Sequence, residues 1–168
     1  MKIEEIHNRI FDLTFQDLQN KSIDALYASL LEEIGELARE LKIEYGVYGN
    51  TYKKPDEGVK CEVVDVYICC AAMLYATIVG ERPTREKHEN LLPMLNNIVF
   101  GFARTSLNDI STKEEVFVNL RKMTRSISDF HYFNSTGNSG ANYAMMIYNL
   151  TGGTPKEFWD YVSHKLDK

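Results

Sequence analysis

Two groups of acidic residues have the spacing that places carboxylates side by side on helices. The first group is Glu32, Glu33 and Glu36, and the second is Glu62 and Asp65. Residues three or four positions apart are neighbours on one face of a helix, so each group can present its carboxylates together. Like charges at this spacing destabilise a helix slightly unless something compensates them. The pattern therefore points to chemistry that uses a bound cation.

The second acidic group adjoins an apolar segment. Asp65 is followed by a run from Val66 to Val79 without a charged residue, and a helix that is apolar all round is buried on most sides. Unpaired carboxylates there are costly, and their pKa values rise. Mg²⁺ would neutralise them, because it prefers oxygen ligands and bridges carboxylates to phosphates. The first group taken alone, together with Glu40, is typical of a solvated helical face.

Histidine and cysteine do not supply a rival site. The four histidines are scattered, and no HExxH or zinc-type spacing occurs. A ferritin-like di-iron bundle uses two ExxH pairs, whereas only Glu4 and His7 fit that pattern, and we expect both at the surface. Cys61, Cys69 and Cys70 are odd in number, which fits a reducing compartment and no disulfide framework.

Composition places the chain among globular proteins. Its 168 residues suit one domain, with 44% hydrophobic and 26% charged residues. The net charge of −5 argues against a dedicated nucleic-acid or anionic-membrane binder. The first residues lack a signal-peptide core, and the apolar run is shorter than the roughly 20 residues that span a bilayer. We therefore expect a cytoplasmic protein with no nucleic-acid or membrane partner.

Helical periodicity dominates between the four prolines, and strand-like alternation is scarce, so we expect an all-α fold. The expected helices cover about 3–18, 23–41, 59–79, 86–105, 111–128, 141–150 and 154–168. Pro93 is expected to kink or delay the fourth helix. The glycine-bearing segments Tyr45–Gly58 and His131–Gly140 are predicted to be loops.

The two acidic groups together resemble those of a known family. EExxE at Glu32, Glu33 and Glu36 is followed after 25 residues by ExxD at Glu62 and Asp65. This double motif resembles the MazG-like all-alpha NTP pyrophosphohydrolases, a superfamily that also includes the dimeric dUTPases, the dCTP pyrophosphatases and HisE. The similarity covers roughly residues 15–80, and the end of the chain resembles the closing helix of many members.

The resemblance implies a fold and an assembly. It implies an antiparallel helical bundle, here one domain over residues 1–168. We expect a metal-binding core at about 15–80, an additional helical segment at about 81–150 and a closing helix at about 154–168. Members of this type build their site where helices of two chains meet, so the bundle is completed by a homodimer or higher homo-oligomer, or else by the extra C-terminal helices of one chain.

The resemblance also implies an activity, the hydrolysis of a nucleoside triphosphate to the monophosphate and diphosphate. The cofactor would be Mg²⁺, with Mn²⁺ as a substitute. The carboxylates that would hold it are those of Glu33, Glu36, Glu62 and Asp65. Glu32 would be a further ligand or the base for the attacking water, so the expected catalytic residues are Glu32 and Glu33.

Three lysines precede the second acidic group and are candidates for binding substrate phosphates: Lys53, Lys54 and Lys60. Solvated loop lysines are the alternative interpretation. For the whole chain, the rival hypotheses are a non-catalytic helical interaction module with a vestigial acidic cluster, and an oxygen-activating di-iron protein. Removal of noncanonical nucleotides and a dedicated role toward dUTP or dCTP both stay open.

Overall fold

The computed structural model describes residues 2–45, 58–103, 113–128 and 133–167. Within these ranges the chain forms α-helices and no strand, which confirms the all-α prediction. The helices are α1 Ile3–Asp17, α2 Ile23–Glu44, α3 Val59–Val79, α4 Arg85–Ala103, α5 Lys113–Ser128, α6 Phe133–Leu150 and α7 Pro155–Leu166. The MazG-like type, the division into three segments and completion by a second chain stay predictions.

Helix α3 forms the centre of the fold and contacts α1, α2, α4, α6 and α7. By length and composition it could cross a membrane, but 67% of its most apolar window is buried inside the protein. Burial on most sides is what an all-round apolar sequence requires in a core helix. The expectation that Val66–Val79 belongs to a buried helix is therefore confirmed. Helix α2 packs on α3 and buries an apolar stripe of Leu26, Leu30, Ile34, Leu37 and Leu41.

Local sequence fixes where the helices that frame the core begin. The Ser22 side chain accepts a hydrogen bond from the Ala25 amide at 3.2 Å and caps α2. Thr154 and Glu157 form a capping box at the start of α7, and Pro155 occupies its first position. These caps satisfy backbone N–H groups that the helices leave unpaired.

Two sequence predictions about α4 and α6 need correction. Pro93 does not delay α4, because the helix begins at Arg85 and continues through the exposed proline ring. The predicted loop over His131–Gly140 is wrong for residues 133–140, which are the first half of α6. Helix propensity is a weak prior that tertiary packing overrides. Helix α6 packs on α3 and α5, and its small residues Gly140, Ala141 and Ala144 are buried.

A buried histidine links α1 to the core. Nε2 of His7 lies 2.8 Å from the Tyr67 hydroxyl, and the His7 ring meets Trp159 edge-on. Burial lowers the pKa of His7 to about 4, so the ring is neutral at physiological pH. Glu4 is exposed as expected, but the prediction that His7 lies at the surface is wrong. The ExxH pair is therefore split between solvent and core.

The turn between α6 and α7 depends on a glycine. A Cβ at Gly153 would overlap the ring of Tyr148, which is fully buried. We expect Gly153→Ala to lower the free energy of unfolding by roughly 1–3 kcal/mol, as overpacking does, and urea denaturation measures this. Gly35→Ala is the control: a Cβ at Gly35 in α2 has open space, so it should raise stability by about 0.5–1 kcal/mol. Equal stability of Gly153→Ala and the wild type would contradict the packing described here.

Candidate metal centre

Helices α2 and α3 bring three carboxylates within reach of one cation. Glu33 on α2 and Glu62 and Asp65 on α3 each have one oxygen within 4.8 Å of the others. The two motifs lie far apart in sequence and meet here because α2 packs along α3. The structure therefore places three of the four expected metal ligands together.

The other expected site residues occupy different places. Glu36 is half-buried and lies close enough for its charge to raise the pKa values of Glu33 and Glu62, but it is outside the group of three. Glu32 is exposed next to Glu33. Lys60 donates to both Glu157 oxygens on α7, at 3.0 and 3.3 Å. Its ammonium is therefore engaged away from the three carboxylates.

Two of the expected site residues lie outside the described part of the chain. These are Lys53 and Lys54. Their role in binding phosphate stays a prediction.

The carboxylates of the centre resist ionisation. Burial raises the pKa of Glu33 to about 7, and the charges of Asp65 and Glu36 add to the shift. Burial likewise raises the pKa of Glu62 to about 7, with Glu36 and Asp65 again adding to it. Glu62 is only 3% exposed. Such clustered acids take up protons as a group, and a divalent cation would relieve the same repulsion.

A lysine from α7 contributes one positive charge to the centre. Nζ of Lys165 on α7 donates to Oδ2 of Asp65 at 2.6 Å, and both side chains are largely buried. Its positive charge also opposes the rise in the pKa of Glu33. No local pattern could have revealed this pair, because its members are 100 residues apart.

The donor set fits a hard divalent cation. All three candidate ligands are carboxylates, the type that Mg²⁺ and Mn²⁺ accept. Cys69 follows Asp65 by one helical turn, and burial with the charges of Glu33 and Asp65 raises its pKa to about 12. The thiol therefore stays protonated at neutral pH and does not act as a soft thiolate ligand. The centre is suited to oxygen-preferring metals.

The raised pKa of Glu62 predicts how pH affects the stability of the metal-free protein. The folded pKa of about 7 exceeds the ordinary value of 4.5, so the folded state holds a proton that the unfolded state releases between these values. Stability is therefore highest below the ordinary value and falls as pH rises toward neutrality. In EDTA, the Tm of the wild type should drop relative to that of Glu62→Gln across this window, and Mg²⁺ should reduce the drop. Parallel Tm profiles for the two proteins would contradict the electrostatic argument.

Known proteins offer no match from which a function could be assigned to this carboxylate centre. No protein-family model, no curated protein and no solved structure matches the chain. The inference of function therefore rests on the carboxylate centre and on the motif resemblance that predicted it.

Proposed function

We propose that the protein is a Mg²⁺-dependent nucleoside triphosphate pyrophosphohydrolase of the MazG-like kind, which converts a (d)NTP and water to (d)NMP and diphosphate. The observation that carries the proposal is the meeting of Glu33, Glu62 and Asp65 within 4.8 Å of one another. These residues come from the two motifs whose resemblance suggests this reaction. A cytoplasmic location and a homodimer or higher homo-oligomer belong to the same proposal.

The chain's own carboxylates have separate tasks in this reaction. Bound Mg²⁺ would neutralise phosphate oxygens and orient the attacking water. Glu33, Glu62 and Asp65 hold the ion, and Glu36 beside them adds negative charge that favours it. Glu32 is exposed next to this group, so its carboxylate can reach solvent and accept a proton from the attacking water.

Among the cations in the described part of the chain, Lys165 is the one best placed to contact the substrate. It lies at the edge of the carboxylate group, 2.6 Å from Oδ2 of Asp65. An ammonium there binds a phosphate oxygen through a charge-assisted hydrogen bond. Lys60, one of the three lysines that the sequence makes candidates for this task, pairs with Glu157 on α7. Because Lys165 is paired with a carboxylate of the centre itself, we assign the phosphate contact to Lys165, with Lys53 and Lys54 as further candidates.

The decisive test is product analysis with a panel of canonical and modified NTPs and dNTPs, in Mg²⁺ or EDTA. We expect monophosphate and diphosphate, lost in EDTA, and a fall in kcat/KM of roughly 100-fold or more in Asp65→Asn, the scale of losing a group that stabilises developing charge. Asp160→Asn is the matched control, because Asp160 is exposed and forms its ion pair with Lys156 on the same helix. Turnover to nucleoside diphosphate and phosphate, or no metal-dependent turnover, would sink the proposal and favour the non-catalytic interaction module.

The phosphate contact has a test of its own. Lys165→Gln removes a charged donor worth about 1.5–3 kcal/mol, so kcat/KM should fall by roughly 10–100-fold. Lys156→Gln serves as the control, since Lys156 is a solvent-exposed lysine of the same helix. A Tm measurement checks that α7 stays docked in both variants. If Lys165→Gln retains the wild-type kcat/KM while the metal requirement persists, Lys165 does not contact substrate.

A further inference from the structure

Lys165 lies in a counter-ion position at the carboxylate group of Glu33, Glu62 and Asp65. Its Nζ donates to Oδ2 of Asp65 at 2.6 Å, and the two side chains are only 23% and 19% exposed. Its positive charge also acts on Glu33 of α2, whose candidate ligand oxygen lies within 4.8 Å of that of Asp65 on α3. Without a metal ion, this ammonium therefore offsets part of the negative charge that two helices bring together.

A divalent cation at the same carboxylates would compete with this ammonium. One oxygen of Asp65 already accepts a hydrogen bond from Lys165, and such a bond between charged groups is short and strong. Two positive charges beside one carboxylate repel each other, and the repulsion is stronger between buried groups than in water. The ion would have three candidate ligand oxygens, whereas the lysine is one flexible side chain, so we expect the lysine to be the group that moves.

Helix α7 has other contacts that hold it in place when this ion pair opens. Its apolar face is buried through three residues: Phe158, Val162 and Leu166. Glu157, near its start, accepts hydrogen bonds from Lys60 of α3 at 3.0 and 3.3 Å. The ammonium of Lys165 lies at the end of a flexible four-carbon stem. It can therefore leave Asp65 while the backbone of α7 stays packed on the core.

We propose that Lys165 is an exchangeable counter-ion of the metal centre: it pairs with Asp65 while no divalent cation is bound, and its ammonium leaves Asp65 when Mg²⁺ binds and becomes available to a phosphate oxygen of the substrate. Metal binding and the phosphate contact are then coupled, because each takes the ammonium away from Asp65, and such coupling is reciprocal. This inference rests on the proposed function and deepens it, since it assigns a regulation to the same site.

The first measurement is the affinity of the full chain for Mn²⁺ without nucleotide, read from the electron paramagnetic resonance signal of the free ion. We expect Lys165→Gln to bind Mn²⁺ more tightly than the wild type by about tenfold or more, the scale of one hydrogen bond between charged groups, because its side chain no longer competes for Asp65. Lys156→Gln is the matched control, because Lys156 is an exposed lysine of the same helix. Its affinity should equal that of the wild type.

The second measurement follows the lysine itself in the wild-type protein. Brief acetylation with an amine-reactive reagent, followed by mass spectrometry, reports the accessibility of each lysine. Lys165 should be labelled slowly in EDTA, several times faster in Mg²⁺, and slowly again when inorganic diphosphate is added with excess Mg²⁺. Diphosphate is the product common to every nucleoside triphosphate in the proposed reaction. Lys156, whose side chain is 88% exposed, should be labelled equally under all three conditions.

The outcomes separate the exchange of Lys165 from the proposed function. Equal or weaker Mn²⁺ binding by Lys165→Gln, or unchanged labelling of Lys165 on addition of Mg²⁺, would overturn the exchange and leave Lys165 as a fixed partner that orients Asp65; nucleotide turnover would still stand. Labelling that rises in Mg²⁺ without any nucleotide turnover would support the exchange and refute the pyrophosphohydrolase. Labelling in Mg²⁺ that diphosphate does not suppress would support the exchange and remove the phosphate contact. Failure of the wild type to bind Mn²⁺ would refute the metal centre and the exchange together.

Discussion

Glu62 lies on α3, the helix that five other helices contact. Ionisation of its carboxylate there requires a compensating positive charge. The apolar residues of α3 occupy the centre of the core, and Glu62 among them is buried away from solvent. The acids of α2 face the same place and increase the repulsion, which raises the pKa values of Glu33 and Glu62. The packing of α2 on α3 thus forms part of the hydrophobic core and also brings together carboxylates that need a compensating positive charge.

Helix α7 supplies part of this positive charge and also packs against the core. Phe158, Val162 and Leu166 bury its apolar face, and Lys165 on the same helix reaches Asp65. Lys60 to Glu157 adds a second ion pair between α3 and α7. One ammonium balances one carboxylate, so within the described part of the chain Glu33 and Glu62 have no ion-pair partner of their own. A divalent cation would supply the remaining charge without displacing the apolar contacts of α7.

Local patterns in the sequence predict the parts of the structure that local physics controls. Helix α3 is predicted at both ends, because Gly58 and Gly80 bound an apolar run, and the i, i+3 spacing of Glu62 and Asp65 predicts a shared face. The sequence does not predict the helical first half of α6 or the burial of His7, because long-range packing determines both. The contact of Lys165 with Asp65 cannot be predicted for the same reason, because it forms only when α7 packs on the core.

Protonation is the other way to relieve such a cluster, and it explains the arrangement less well than a cation does. A protonated Glu62 would remove the repulsion, but a buried apolar side chain of similar size would do so at every pH and with better packing. Clustered acids whose like charges destabilise a helix and whose burial is costly are the kind of local conflict expected at functional sites. The gathering of carboxylates from two helices and a lysine from a third at one point is explained if the site binds cations together with an anionic, phosphate-bearing ligand.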